Sequence, residues 1–298
     1  MKRNILIIGL GKMGFSHLTS LLNDKYDYKI DIYDKNINLQ KPLISKKEIC
    51  ILKSLPKQKE YSLVIISTGP EIRFKLAAYI LRNNKIRILL LEKFLFKNLK
   101  EFKKFEKIIK SIKTKIFVNL WAKIIFEKLR LKKAINKKID ICVFLRDNNL
   151  LTNLVHFFYL AKLIDKKNKI FINFKDSNLL KRNNKSKYDE IKGKIEIFSK
   201  KLKCIVCSTK KESFSLIFSV GKKKESYKLK NGYLIRNRNN KKKTKIQFPL
   251  AKIFTSKFYN DYYLKKKTYL PYYKEVNDLS KYVQLETERH FKKKILIR

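Results

Sequence analysis

Three of the seven glycines in this 298-residue chain fall at Gly9, Gly11 and Gly14, directly after the apolar run Ile5-Leu6-Ile7-Ile8. A G-x-G-x-x-G between a strand-like run and a helical pattern dictates a strand, a tight turn and a helix in immediate succession. Each glycine answers a different demand. Gly9 turns the chain out of the strand, Gly11 lets backbone amides approach a diphosphate, and Gly14 lets the helix lie close to the sheet. The diphosphate of a dinucleotide then rests on unpaired amides at a helix N-terminus, with Lys12 and Met13 in the loop between the glycines. The next strand, Lys29-Ile30-Asp31-Ile32-Tyr33, ends at Asp34, about 20 residues past the glycines, where the fingerprint places a ribose-binding acid. A carboxylate there accepts hydrogen bonds from ribose hydroxyls and repels a 2′-phosphate. NAD is therefore expected, with NADP as the alternative because Lys35 offsets part of that repulsion.

The order of apolar runs extends the pattern. Tyr61 to Thr68 reads as a buried parallel strand ending in the Gly69-Pro70 turn. A helix from Glu71 to Asn83, a strand Ile86–Leu91 ending at Glu92-Lys93, an amphipathic helix Leu99–Thr114 and a strand Ile116–Val118 follow. This alternation predicts an α/β fold whose N-terminal domain, residues 1–118, is a Rossmann doubly wound parallel sheet with ligands at the carboxyl edge of its strands. Residues 119–298 read as a second α/β domain built on a largely antiparallel open sheet. Its strand-like segments are Ile139–Phe144, Lys194–Phe198, Cys204–Ser208, Phe214–Phe218, Ser226–Leu229, Tyr233–Ile235 and Lys245–Phe248. The polar runs Arg182–Lys185 and Asn239–Lys243 read as connectors.

Composition bounds the partners. The formal charge is +48, from 73 Lys and Arg against 25 Asp and Glu. A bias of this size normally suggests nucleic acid. Here the excess is lysine spread along the whole chain with abundant Ile and Asn, a drift in composition whose lysines are solvated faces. No specific nucleic-acid partner is expected, although a basic field attracts an anionic cofactor or a phosphorylated substrate. Cys204 and Cys207 form a C-x-x-C on a strand-like run, where an offset of three sends side chains to opposite faces. No second C-x-x-C or nearby histidine completes a zinc site, so no metal is expected and the cysteines read as reduced. The apolar run after Met1-Lys2-Arg3-Asn4 is broken by the glycine loop and no run is long enough to span a bilayer, which predicts a cytoplasmic protein without membrane attachment.

The glycine loop, Ser67-Thr68-Gly69-Pro70 and Leu91-Glu92-Lys93-Phe94 together resemble the Gfo/Idh/MocA family, that of glucose-fructose oxidoreductase and inositol dehydrogenase. Phe94 stands where that family usually has proline, and Gly69 replaces one residue of its Thr-Pro turn. Val118-Asn119-Leu120-Trp121-Ala122-Lys123 is similar to its Asn-x-x-Arg-type segment, with Lys123 at the arginine. Phe258–Tyr263 and Leu270-Pro271 resemble its closing helix and turn. The resemblance implies an NAD(P)-dependent oxidoreductase acting on a sugar, nucleotide-sugar or cyclitol, and a homodimer or homotetramer that buries the open sheet against another subunit. It implies cofactor contacts at Thr68, Glu92 and Lys93, and a catalytic role for Lys93, whose ammonium would stabilise the substrate oxygen as hydride moves. Asn119 and Lys123 would shape the substrate pocket. On the apolar helix around Leu150–Phe158, His156 would bind or deprotonate the substrate hydroxyl. The family carries Asp or Asn four residues before that histidine. Here Thr152 occupies the position, so either Thr152 takes the polar role or Asn153 reaches the site. The substitutions at 94 and 152 leave a second implication open, a weakened family member that binds dinucleotide and acts as a sensor or scaffold. His17 and His290 read as structural or surface residues.

Overall fold

The computed structural model describes residues 3–36, 48–134, 137–146, 150–180, 188–210, 214–237 and 245–297. In chain order the elements are β1 (Arg3–Ile8), α1 (Lys12–Leu22), β2 (Tyr28–Tyr33), β3 (Glu48–Ile51), β4 (Glu60–Tyr61), β5 (Leu63–Ile66), α2 (Pro70–Asn83), β6 (Lys85–Ile86), β7 (Ile88–Leu91), α3 (Leu99–Lys110) and β8 (Lys115–Val118). They continue as α4 (Ala122–Lys128), β9 (Ile139–Arg146), α5 (Leu150–Ile164), β10 (Phe171–Asn173), β11 (Ser177–Leu180), β12 (Glu190–Phe198), β13 (Leu202–Thr209), β14 (Phe214–Val220), β15 (Lys223–Lys230), β16 (Tyr233–Asn237), β17 (Lys245–Gln247), α6 (Ala251–Lys265) and α7 (Tyr273–His290). The chain forms two compact units: residues 1–120 with 250–277, and residues 121–249 with 278–298.

The first unit is built on a six-stranded parallel sheet in the order β3-β2-β1-β5-β7-β8. Its central strands are apolar on both faces: Ile5–Ile8, Leu63–Ile66 and Ile88–Leu91 are all at most 1% exposed. Sheets covered by helices on both sides require such continuous runs. The strand order reverses between β1 and β5, which opens a crevice at their carboxyl ends. There the Ser67 amide still donates to the Ile8 carbonyl and its hydroxyl donates to the Gly9 carbonyl at 2.6 Å, and the strand expected to reach Thr68 ends at Ile66. The helix expected to reach Thr114 stops at Lys110, where the Ser111 hydroxyl turns back onto the Ile108 carbonyl.

Residues 250–277 belong with this unit, whereas the sequence reading divides the chain once, after 118. Helix α6 packs on α1. Ser20 and Ser256 hydroxyls meet at 3.2 Å, the Arg3 guanidinium donates to Asn260 Oδ1 at 2.6 Å, and Tyr28 and Tyr259 meet edge to face. Phe258, Tyr262 and Tyr272 surround Phe117 of β8. Aromatic burial of this extent holds the segment in place, and its residues are distant in sequence from their partners.

The second unit centres on a nine-stranded sheet, β10-β12-β13-β9-β14-β15-β16-β17, with β11 also paired to β12. Among the described residues only β9 and β13 run parallel; the remaining pairs are antiparallel. Strand β9 alternates as expected for a sheet with one covered face: Ile139, Ile141, Val143 and Leu145 are buried while Cys142 and Phe144 are half-buried and Asp140 and Arg146 exposed. Helix α5 packs on β12 and β13 and is buried nearly all round. Strands β3, β10 and β11 have no counterpart in the sequence reading, and Arg182–Lys185 and Asn239–Lys243 lie outside the described residues.

Candidate functional site

The glycine loop connects β1 to α1 as the spacing predicts. Gly9 has φ of +89°, and a Cβ there would lie 2.8 Å from Thr68 Cγ2. A Cβ on Gly14 would lie 1.9 Å from the Gly9 carbonyl oxygen, so the first turn of α1 lies directly on the loop. Gly11 differs from both. A Cβ on it would meet nothing within 4 Å, and it occupies the N-cap of α1 with no side-chain cap. Amides of the first helical turn have no intrahelical acceptors and face an anion favourably. Lys12 and Met13 are exposed beside them. The Asp34 carboxylate holds the loop in shape: Oδ2 accepts from the Leu10 amide at 2.5 Å and Oδ1 from the Asn36 amide at 2.8 Å. A carboxylate offers about four acceptor positions, so both oxygens keep capacity for ribose hydroxyls. Across the crevice, Thr68 Oγ1 is buried and has no hydrogen-bond partner among the described residues. An open cradle at Gly11, uncapped helix amides and an orphaned hydroxyl fit a dinucleotide.

At the carboxyl end of β7 the chain builds a buried polar cluster. Glu92 turns inward, where Oε1 accepts from His17 Nε2 at 2.8 Å and from Asn119 Nδ2 at 2.6 Å. His17 is fully buried, and its Nδ1 lies 2.7 Å from Thr255 Oγ1. The Thr255 hydroxyl already donates to the Ala251 carbonyl, so it accepts from His17. Nδ1 thus carries a proton and Nε2 points its own at the carboxylate. Burial pushes the Glu92 carboxyl up, but the His17 hydrogen bond and charge, the Asn119 amide and the Arg73 charge outweigh it, and the net direction is down. Arg73 of α2 is buried as well, its guanidinium donating to the carbonyls of Thr68, Glu92, Phe94 and Leu95. This clamp joins the ends of β5 and β7. Lys93 follows Glu92 and is half-buried, and the Lys93–Phe94 peptide is cis. Glu92 and Asn119, expected at cofactor and substrate, are thus joined by a hydrogen bond directly before Lys93 in the chain's turn out of β7.

The ion pair carries a pH signature. A depressed folded-state pKa at Glu92 contributes stability that is present above the ordinary carboxylate range and lost as pH falls through the folded value. His17→Leu, which strands the carboxylate, is expected to cost about 3 kcal/mol at neutral pH. That deficit should shrink on acidification below the ordinary carboxylate range, where a protonated Glu92 no longer needs the imidazole. Urea unfolding at both pH values checks this, and a deficit independent of pH would refute it.

In the second unit, His156 lies buried on α5 and stacks on Trp121 with ring centroids 4.4 Å apart and planes 17° from parallel. Phe157, Phe214 and Phe248 also meet the indole. Thr152, one turn earlier, is engaged by a residue that the sequence reading does not single out. Glu190 Oε2 accepts from its hydroxyl at 2.8 Å, and Oε1 accepts from the Leu151 amide at 2.5 Å. Burial pushes the Glu190 carboxyl up, against the pull of the amides of Ile191 and Leu151 and of Thr152. A carboxylate therefore does stand one turn from His156, delivered by β12. Only a long-range strand contact brings it there, and no local spacing signals it. Asn153 and Lys123 are half-buried on α5 and α4.

No family model matches the sequence, and no curated protein matches it. Solved structures do. A super-repressor mutant of Gal80p from Saccharomyces cerevisiae superposes with a TM-score of 0.67 at 10% identity, over 98% of this chain and 97% of that one. A dehydrogenase (MviM) from Clostridium difficile gives 0.66 at 12% identity, over 98% and 99%. A structure from Desulfitobacterium hafniense, described as a candidate NADPH-dependent oxidoreductase, gives 0.66 at 12%, over 99% and 97%. The likeness extends over both units and establishes the fold, a Rossmann-like parallel sheet joined to a second mixed sheet.

Proposed function

We propose that this chain is an NAD(P)-dependent oxidoreductase of the Gfo/Idh/MocA type, acting on a secondary alcohol or ketone of a sugar, nucleotide-sugar or cyclitol. The observation that carries the reading is the Gly9–Gly14 cradle, open at Gly11 and faced by the orphaned Thr68 hydroxyl. A bound nicotinamide supplies the hydride chemistry. The chain's own residues do the rest. Amides of the first turn of α1 hold the diphosphate, and Asp34 takes the ribose hydroxyls and favours NAD over NADP. Lys93 Nζ hydrogen-bonds the substrate oxygen and holds the proton exchanged there, while His156 binds or deprotonates the substrate hydroxyl. Asn119, Lys123, Thr152 and Asn153 contribute to substrate binding. The Glu92–His17–Asn119 cluster fixes the strand end that carries Lys93. A homodimer or homotetramer, a small-molecule partner and a cytoplasmic location complete the reading.

Two observations favour a second reading, a dinucleotide-binding sensor or scaffold. Thr152, at the family's Asp or Asn position, is tied to Glu190, and a Gal80p repressor mutant is among the similar structures. Nucleotide titration followed by turnover separates the two. The oxidoreductase should enhance NADH fluorescence and change absorbance at the nicotinamide band with a member of a polyol and sugar panel. A sensor gives the first signal alone, and a protein that gives neither overturns both readings.

A further inference from the structure

Strand β2 carries a carboxylate where a parallel sheet covered on both faces calls for an apolar side chain. Asp31 stands between Ile30 and Ile32, is 4% exposed, and pairs in register with the buried Leu6 of β1. Its Oδ2 accepts from the Tyr61 hydroxyl at 2.6 Å and from Lys59 Nζ at 3.2 Å. Its Oδ1 is also buried and has no hydrogen-bond partner among the described residues. A buried acceptor without a donor is costly, so a donor brought to it is favoured. Asp31 also lines a cavity of about 350 Å³, together with Asn4, Lys29, Lys59, Glu60 and Tyr61. Small-molecule pockets span about 300–1,000 Å³. Asn4 pairs with Lys29 in the ladder, so the cavity lies toward the amino ends of β1 and β2, whereas the glycine loop leaves their carboxyl ends. The wall at 59–61 is held in place: β4 pairs with β6, and the Lys59 amide donates to Asn84 Oδ1 at 3.1 Å.

Donors and acceptors around the cavity are unevenly engaged. Both lysines are already paired, Lys29 with Glu48 at 2.8 Å and Lys59 with Asp31. The remaining capacity is for accepting. It comprises Asp31 Oδ1, the lone pairs of the Tyr61 hydroxyl, the exposed Glu60 carboxylate, and the amide oxygen of Asn4, whose Nδ2 turns to the Glu60 carbonyl at 3.4 Å. Burial and the bond to Asp31 push the Tyr61 hydroxyl up, which keeps its proton on Asp31. Asp31, Glu48 and Glu60 gathered at one place are an exception in a chain with 73 Lys and Arg against 25 Asp and Glu. We propose that this cavity binds a small organic cation rich in N–H donors, an alkylammonium or guanidinium, which takes the Asp31 carboxylate in competition with Lys59. The ligand donates to Asp31, and Glu60 and Asn4 accept from its remaining N–H groups. Lys59 has a half-exposed side chain and gives way into solvent. The site is separate from the glycine loop and does not rest on the oxidoreductase reading.

Agmatine, which carries a guanidinium and a primary ammonium, is the probe, titrated into the full chain by calorimetry. Saturable uptake at one site per chain is expected. The long-range field of a chain with charge +48 repels a small cation, so uptake reports the local groups. Lys59→Met keeps an apolar stem and removes the competing charge, and should tighten binding at least about threefold. Asp31→Asn should weaken it at least about tenfold, the loss of a charge-assisted hydrogen bond. If Asp31→Asn fails to fold, the exposed changes Lys59→Met and Glu60→Gln carry the test, the second weakening binding about threefold. Gly11→Val should bind agmatine as the wild type does, so this site and the dinucleotide site fail separately. An absence of saturable uptake, binding unchanged by Asp31→Asn, weaker binding by Lys59→Met, or inorganic phosphate competing with agmatine would overturn the proposal.

Discussion

Gly14→Ala is expected to cost several kcal/mol of stability and to abolish dinucleotide binding, whereas Gly11→Val should leave stability unchanged and still weaken binding at least about a hundredfold. The two glycines are three residues apart in one motif, and the structure gives them opposite reasons. The methyl group of alanine at 14 would lie 1.9 Å from the Gly9 carbonyl oxygen, which is backbone and has no rotamer to give. Either α1 lifts from the loop or the loop deforms, a strain at or above the upper end of the usual cost of overpacking, about 3 kcal/mol. In a unit of this size that lowers the melting temperature by roughly 6 to 12 °C. At position 11 an added Cβ meets no protein atom within 4 Å, so the fold leaves room there. A side chain would fill the space through which helix amides reach an anion, and losing that approach costs at least about 2.7 kcal/mol of binding, a factor of about a hundred. Thermal melts and NADH titration of both variants test the pair. Intact binding by Gly11→Val would remove the diphosphate from this loop.

The second large effect concerns Lys93. Lys93→Met should reduce hydride transfer by about 10² to 10⁴-fold, the usual contribution of a positioned proton donor, with NADH affinity changed by less than about threefold. Loss of rate with binding retained separates a residue acting on the reacting oxygen from one that only holds the cofactor. The neighbour offers the control. Glu92→Gln breaks the His17 bond and perturbs the strand end, so it should lower both stability and rate, while Lys93→Met leaves the melting temperature within about 2 °C. Steady-state rates on the substrate found by the panel, beside melts of each variant, check the separation. If Lys93→Met turns over normally, the proton is managed elsewhere.

Much of the first unit is legible locally. The strands of the parallel sheet are continuous apolar runs because both faces are covered, and the helices between them show amphipathic spacing, so their order alone yields a doubly wound sheet. Asp34 and the glycines are legible because their spacing is set by backbone geometry within one βαβ unit. Legibility fails where partners come from far along the chain. The aromatic residues of α6, Phe254, Phe258, Tyr259, Tyr262 and Tyr263, mark a buried face but do not say that it packs on α1. His17 reads as one more histidine on a helix until Glu92, 75 positions on, and Thr255, 238 positions on, meet its two nitrogens. Glu190 is a charged residue beside a connector until β12 carries it to the start of α5. The strands β3, β10 and β11 are three or four residues long, too short for an alternating pattern to stand out.

By itself the sequence determined the architecture and the shape of one site, because strand burial, helical periodicity and glycine placement act within a few residues of one another and need no distant partner. Only the tertiary structure decided that residues 250–277 return to the first unit, that Glu92 serves His17 and Asn119, and that Thr152 holds Glu190. Each of these is a choice among many chemically equivalent partners. Burial makes the choice, since a polar group removed from water is bound to whichever complementary group the packing of the whole unit brings within reach.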